Sequence, residues 1–286
     1  MNNETTVDRE VPRIALVTGG NQGLGLALVR RLCQHLPEGS TVYLGARNLE
    51  RGRGAVAELA TEGLRSRLIV IDVTDGTSVR DAAAAIRERH GGIDIVISNA
   101  AARISPDRDN AAQVRGFVDT NNRGAIRMIE AFGPLLRDGA RFVLVASFFG
   151  TLTQLDPTLW DRFERPGITL ADIERTMDEY VTAVEADKAT SDGWPDWINI
   201  PSKVGQVAAA RIMARALPSG RDILVNAACP GLVDTDASRP WFDNMAEALS
   251  PDDAAIDVVW LATLPTGTTE PHGELVQYRK VIPFRR

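Results

Sequence analysis

The feature that most restricts the fold of this chain is a regular alternation of short apolar runs with longer amphipathic segments. The apolar runs are rich in Val and Ile and too short for helices, as expected of strands buried on both faces. Seven strands are predicted, at 13–18, 41–46, 67–72, 93–98, 141–147, 222–228 and 273–279. Helical segments such as LGLALVRRLCQHL and SVRDAAAAIRERH separate them. This order predicts an α/β fold, with a doubly wound parallel sheet and helices on both faces.

Composition limits the class of protein. A chain of 286 residues with 44% hydrophobic residues fits one compact domain or at most two small ones. No apolar run is long enough to span a membrane, so no membrane partner is expected. The net charge of −6, without a basic block, argues against nucleic acid. With only Cys33 and Cys229, no disulfide framework is expected, and a cytoplasmic location is predicted.

Two segments stand apart from the alternation. The first dozen residues, 1–12, are polar and acidic and are predicted to form a flexible tail, which leaves 13–286 as a single domain. Residues 152–192 insert an amphipathic helix, TLADIERTMDEYVTAVEADK, without a strand of its own. An insertion here lies near the carboxyl ends of the strands, where such sheets bind ligands. It either lines a substrate pocket or only packs on the domain.

The stretch TGGNQGLG, residues 18–25, follows the first strand and opens the first helix. Its glycines permit a tight turn and bring backbone N–H donors close to the phosphates of a dinucleotide. The second strand ends in LGARN, where an acidic residue would bind the ribose of NAD. Arg47 suits a 2′-phosphate instead, so NADP(H) is predicted. Asp72 either accepts a hydrogen bond from the adenine or lies next to a helix N-cap.

These motifs together resemble the short-chain dehydrogenase/reductases. The pattern TGxxxGxG is followed by SNAA at 98–101, Asn121 in TNNRG, Ser147 and Lys203. DGWP, ILVNAACPGLVDTD and PHGELV are similar to the monomeric carbonyl reductases of that family, and the resemblance covers nearly the whole chain. It implies a Rossmann-type fold, an NADP(H)-dependent oxidoreductase activity and no metal. It also implies a monomer, because the 152–192 insertion covers the face through which related tetramers associate.

The resemblance implies a catalytic tetrad of Asn, Ser, Tyr and Lys. In such enzymes the tyrosine donates a proton and the lysine lowers its pKa and grips the nicotinamide ribose. The serine holds the substrate carbonyl, and the asparagine orders a water that feeds the proton relay. Asn121, Ser147 and Lys203 occupy three of the four positions, and Asn199 occupies the position of the tyrosine.

Further residues are assigned to the cofactor by the same resemblance. One of them departs from the usual pattern, since Gln22 stands where NADP enzymes are often basic. Outside this set, the SNAA segment has Ala101 where glycine is usual. Residues 236–249, which follow Thr235, are predicted to form an apolar flap over a hydrophobic small-molecule substrate. The predicted cofactor-binding residues are Gly19, Asn21, Gln22, Gly23, Leu24, Gly25, Arg47, Asp72, Val73, Asn99, Ala100, Lys203, Pro230, Gly231, Val233 and Thr235.

Asn199 changes the expected chemistry, because an amide donates a hydrogen bond but cannot release a proton. Asn199 and Ser147 therefore resemble an oxyanion hole. Three functions remain open, in this order: NADPH-dependent reduction of a conjugated enone or carbonyl, a non-redox cyclase or isomerase with NADP as a structural cofactor, and an NADP-sensing binding protein. Tyr180, Asp156 and Asp196 are alternative proton donors, but helix periodicity favours packing for Tyr180, and solvation at the surface is favoured for the two aspartates.

Overall fold

A computed structural model of the chain describes residues 11–285, so the tail predicted at 1–12 lies almost entirely outside the described residues. The predicted α/β class is confirmed. The strands are β1 (Ile14–Thr18), β2 (Thr41–Ala46), β3 (Arg67–Val70), β4 (Ile93–Ser98), β5 (Leu136–Val145), β6 (Leu224–Ala228), β7 (Leu275–Gln277) and β8 (Lys280–Ile282). The helices are α1 (Gly23–His35), α2 (Leu49–Thr61), α3 (Gly76–His90), α4 (Asn110–Val118), α5 (Gly124–Phe132), α6 (Leu170–Glu185), α7 (Asn199–Ala216) and α8 (Pro251–Ala262).

The strand order places a ligand-binding crevice at the middle of the sheet. The order is β3-β2-β1-β4-β5-β6-β7-β8, and β1 pairs in parallel with β2 on one side and β4 on the other. All five residues of β1 are buried. Because the chain crosses in opposite directions from β1, the carboxyl ends of β1 and β4 open a crevice between their following loops.

Helices cover both faces of the sheet, as the alternation predicts. On one face α1 packs against α8, and Leu28, Leu32 and Val258 belong to the same buried cluster. On the other face a larger cluster joins α3, α5, α6 and α7, with Ile86, Phe132 and Met177 at most 2% exposed. Among residues 11–285, no helix combines the length and apolar character needed to cross a membrane.

The sheet differs from the predicted one in its last strand. Seven parallel strands are present, but an eighth, β8, runs antiparallel to β7. The reversal occurs at Tyr278 and Arg279, both with positive φ, at 49° and 61°. Such turns usually carry Asn or Gly, so this pair gives no turn signal. The prediction of seven strands was wrong for that reason.

The 152–192 insertion contains α6 and short 3-10 turns, and no strand is described within it. Thr169 caps α6 and forms a capping box with Asp172. The buried face of α6 includes Ile173, Met177 and Tyr180, and it packs on α4 and α7. The insertion is thus part of the core of the domain.

Candidate active site

The loop between β1 and α1 is built so that no side chain intrudes on it. Gly19 has a φ of 64°, a conformation that favours glycine. At Gly25, a Cβ atom would lie 2.0 Å from the Gly19 carbonyl oxygen, so only glycine fits there. The N-terminus of α1 therefore presents free N–H groups beside a bare backbone, an arrangement that fits a phosphate.

Asn99 ties this loop to the end of β4. Its Nδ2 donates to the Thr18 carbonyl oxygen at 3.0 Å, and its backbone N–H donates to Thr18 Oγ1 at 3.0 Å. The Ala100 N–H donates to the same hydroxyl, also at 3.0 Å. These hydrogen bonds connect the SNAA segment, at the end of β4, to the end of β1.

A cavity of about 250 Å³ runs along the glycine loop. Arg47 lines it, and so does Asp72, whose carboxylate accepts from the Thr74 N–H at 2.9 Å and from the Thr74 hydroxyl at 2.7 Å. Asn48 and Arg51 also line this end but were not predicted. The predicted cofactor-binding residues in this cavity are Gly19, Asn21, Gln22, Gly23, Leu24, Gly25, Arg47, Asp72, Val73, Asn99, Ala100 and Thr235.

A second cavity, of about 410 Å³, adjoins the first and shares Leu24, Arg103 and Thr235 with it. It contains the four predicted catalytic residues, Asn121, Ser147, Asn199 and Lys203. The remaining predicted cofactor residues, Pro230, Gly231 and Val233, also line it. The structure therefore gathers every predicted site residue around two connected cavities at the carboxyl ends of the strands.

Asn121 lies in a π-helical turn, Asp119–Arg123, between α4 and α5. Its Oδ1 accepts from the Ala102 N–H at 2.8 Å, and its side chain is 1% exposed. Its backbone carbonyl accepts from Gln206 Nε2 at 3.0 Å. A π-helical turn frees backbone groups from the helical ladder, and such turns are frequent at functional sites.

Two residues with hydrogen-bond donors, Ser147 and Asn199, line this cavity. Ser147 follows β5, and its Oγ accepts from the Phe149 N–H at 3.3 Å. Asn199 is the first residue of α7, where the helix dipole presents its positive end. With the Ser147 hydroxyl and the Asn199 amide among its lining groups, the cavity can stabilise negative charge on a bound oxygen.

Lys203 lies one turn further along α7 and is held by two acceptors. Its Nζ donates to Gln206 Oε1 at 2.8 Å and to the Val145 carbonyl oxygen at 3.4 Å. Burial lowers the pKa of Lys203 to about 8, and the neighbouring Cys229 opposes this lowering. Burial raises the pKa of the Cys229 thiol above its usual value. At neutral pH the cavity thus holds an ammonium beside a neutral thiol.

The alternative proton donors do not reach the cavity. Tyr180 is 0% exposed in the core against Trp194, and neither it nor Asp156 lines either cavity. Asp196 lines only a neighbouring surface groove. No described residue that lines the 410 Å³ cavity is an aspartate, a glutamate or a tyrosine. The 152–192 insertion also contributes no lining residue, which favours the packing role weighed for it.

Aromatic side chains close the outer end of this cavity. Trp197 contacts Phe149 edge to face, with ring centroids 4.9 Å apart, and lies 5.8 Å from Trp241. Phe242 is 6.2 Å from Trp197, and the Trp241 indole N–H donates to the Ile104 carbonyl oxygen at 3.3 Å. Residues of the predicted flap thus form an apolar wall over the site.

Comparisons with known proteins agree with this architecture. A family model described as short chain dehydrogenase matches residues 13–155. Carbonyl reductase (NADPH) 1 of Sus scrofa is 34% identical over 95% of this chain and 94% of its own length. Carbonyl reductase (NADPH) 3 of Rattus norvegicus is 34% identical over 94% of this chain and 97% of its own length.

Solved structures with similar folds include two plant reductases. Salutaridine reductase from Papaver somniferum superposes with a TM-score of 0.78 at 23% identity, covering 92% of this chain and 99% of its own. Menthone neomenthol reductase from Mentha piperita gives 0.76 at 24% identity, covering 93% and 98%. At these identities the likeness supports the fold alone. Together with the family match and the relatives at 34% identity, it shows that the chain belongs to the short-chain dehydrogenase/reductase family.

Proposed function

We propose that this chain is an NADPH-dependent reductase that acts on a conjugated enone or related carbonyl of a hydrophobic small molecule. Asn121, Ser147, Asn199 and Lys203 form its catalytic site. The observation that carries the proposal is the composition of the 410 Å³ cavity, which combines Ser147 and Asn199 with a lysine and has no carboxylate or phenol among its described lining residues.

The two cavities fit nicotinamide adenine dinucleotide phosphate, NADP(H). The bare glycine loop and the N-terminus of α1 suit the pyrophosphate. Arg47 and Arg51 at the far end suit a 2′-phosphate, which guanidinium groups bind in bidentate fashion. Lys203 and Thr235 lie toward the nicotinamide end. The relatives named for NADPH support the same cofactor.

The residues of this site suit a reaction in which a substrate oxygen becomes negative before a proton arrives. NADPH, when bound, supplies a hydride. The Ser147 hydroxyl and the Asn199 amide hold the carbonyl oxygen of an enone as an enolate while the β-carbon becomes saturated. The enolate carbon then takes a proton from solvent, because the Asn199 amide cannot give one. The aromatic wall keeps the rest of an apolar substrate in place.

The test is a cofactor-consumption assay with purified protein, NADPH and a matched panel of cyclic enones and the corresponding saturated ketones. We expect NADPH oxidation with the enones, saturated ketone as the product by mass spectrometry, and slow turnover of the ketones. Product of unchanged redox state would indicate the cyclase or isomerase alternative. Tight NADPH binding without any product would support the sensor alternative and contradict the proposal.

We also propose that the chain is a monomer with one NADP-binding domain at 13–286. In it, 152–192 is a structural insertion and 236–249 is a substrate flap. Support comes from α6, which covers α4 and α7, and from Trp241 and Phe242, which lie over the cavity. An apolar segment over a polar site would exclude water when substrate is bound.

A further inference from the structure

Gln206 is a buried polar residue that the proposed reaction does not use. It lies on α7, three residues after Lys203, and is 4% exposed. A buried amide is costly unless both of its ends are hydrogen-bonded. The partners of the Gln206 amide therefore indicate why it is tolerated among the apolar residues of α7.

Both ends of this amide meet the active site. Nε2 donates to the Asn121 carbonyl oxygen at 3.0 Å, and Oε1 accepts from Lys203 Nζ at 2.8 Å. Only this orientation satisfies both contacts, since a flipped amide would place its NH₂ group against the ammonium. The side chain thus links the π-helical turn to Lys203, whose ammonium also reaches β5 through the Val145 carbonyl.

The family resemblance gives an ordered water at Asn121 the task of feeding a proton relay. In this chain the Gln206 amide joins the Asn121 carbonyl directly to Lys203. An amide neither gains nor loses a proton near neutral pH. Asn199 and Gln206, four residues before Lys203 and three after it, share its helix face. Both positions therefore carry neutral amides, which can form hydrogen bonds to a charged neighbour but cannot transfer protons.

We propose that Gln206 is a positioning residue, which fixes the Lys203 ammonium toward the cavity and keeps it charged without joining it to a proton relay. The inference rests on the proposed function for the role of Lys203 toward the cofactor. Cys229, after β6, is the titratable group that raises the pKa of Lys203. Besides Lys203, Arg103 is the charged residue among the described residues that line this cavity.

Selective labelling can test this inference because the chain has three lysines, Lys188, Lys203 and Lys280. Lysine labelled with ¹³C at Cε gives three NMR signals, and Lys203→Arg assigns one of them. We expect Lys203 to titrate with a pKa of about 8 in the wild type. Gln206→Met keeps the side-chain length but removes the acceptor, so the charged form loses a hydrogen bond. The pKa of Lys203 in this variant should therefore fall by about one unit.

Gln206→Glu provides the opposite sign, because a carboxylate beside the ammonium should raise the pKa of Lys203. Gln34→Met, an exposed glutamine on α1, is the matched control and should leave the titration unchanged. A folded Gln206→Met protein in which Lys203 titrates as in the wild type would overturn the inference. If Gln206→Met does not fold, a pKa of Lys203 that is unchanged or lowered in Gln206→Glu would overturn the inference.

A second readout connects Gln206 to the cofactor. NADPH affinity, measured by fluorescence between pH 6 and pH 10, should weaken in the wild type as Lys203 loses its proton. In Gln206→Met the same weakening should begin about one pH unit lower. The NMR titration needs neither cofactor nor substrate, so failure of the proposed reaction leaves it interpretable. Identical pH profiles for both proteins would contradict the positioning role.

Discussion

At the scale of single residues, the site is defined by an amide at the head of α7. Asn199 shares a cavity with Ser147 and Lys203, and the N-terminus of α7 adds its positive potential. In the proposed reaction these groups stabilise an anion but do not complete an acid–base pair. The catalytic consequence can be measured by restoring or removing one functional group at this position.

We expect Asn199→Tyr to increase the reduction of simple activated ketones by about a hundredfold, the usual contribution of a positioned acid. Asn199→Phe is the matched control, since it adds the ring without the hydroxyl and should give no gain. Steady-state NADPH oxidation measures both. Equal ketone turnover by the Tyr and Phe variants would show that a phenol at 199 cannot act as the acid.

Asn199→Ala should reduce turnover of the preferred substrate by about a hundred- to a thousandfold, as expected for the loss of one oxyanion donor. The loss should appear in kcat more than in KM, because the amide bonds most strongly when the oxygen is charged. Wild-type kcat in Asn199→Ala would exclude the oxyanion role.

Arg47 should determine the choice between NADPH and NADH. We expect Arg47→Asp to weaken NADPH binding by about 10- to 100-fold, through lost charge-assisted hydrogen bonds to the 2′-phosphate, and to improve NADH binding. Arg53→Asp makes the same charge change on α2 at a residue that lines neither cavity, and should alter neither affinity. Isothermal calorimetry with both cofactors gives the comparison. An unchanged preference in Arg47→Asp would assign the phosphate to Arg51.

At the scale of elements, a buried arginine connects β5 to the neighbouring loops. Arg141 is 0% exposed, and it pairs with Asp222 at 2.9 Å. Its guanidinium also donates to the carbonyl oxygens of Leu264 and Pro265, at 3.0 Å and 2.6 Å. These contacts connect β5 to loops at the amino-terminal ends of the strands, opposite the active site.

Arg141→Ala should destabilise the protein by about 3–5 kcal/mol, because it leaves buried carbonyl oxygens and a carboxylate without their partner. Urea denaturation followed by circular dichroism measures the change. Arg115→Ala, which removes an exposed ion pair with Glu185, is the control and should leave the midpoint nearly unchanged. Similar midpoints for both variants would show that burial does not strengthen the Arg141 contacts.

At the scale of the whole molecule, the insertion decides which surfaces stay exposed. The apolar face of α6 packs on α4 and α7. The family resemblance implies that the insertion covers the face through which related tetramers associate. We expect a single species of 31.0 kDa by size-exclusion chromatography with light scattering, with or without NADPH. A mass two or four times larger would show that another surface associates.

The sequence by itself determined the parallel sheet, the glycine loop, the preference for NADP and the motif positions of Asn121, Ser147 and Lys203. These are local patterns, and strand periodicity and loop composition place them at the carboxyl ends of parallel strands wherever the chain folds. The sequence also marked Asn199 as the departure at the catalytic position. Arg51 carries a weak signal, since a second arginine four residues after Arg47 suits the same phosphate.

Tertiary structure alone decided the other features of the site. Gln206 bonds to Asn121 across 85 positions of the chain, and Cys229, which follows β6, approaches Lys203 on α7. The β8 reversal rests on two residues without turn preference. Such contacts depend on which side-chain atoms meet when distant segments pack, and on which buried groups then need partners. The contact between Lys203 and Gln206 is local, but no local pattern encodes the contacts of this pair with Val145, Asn121 and Cys229, which become visible only in the folded chain.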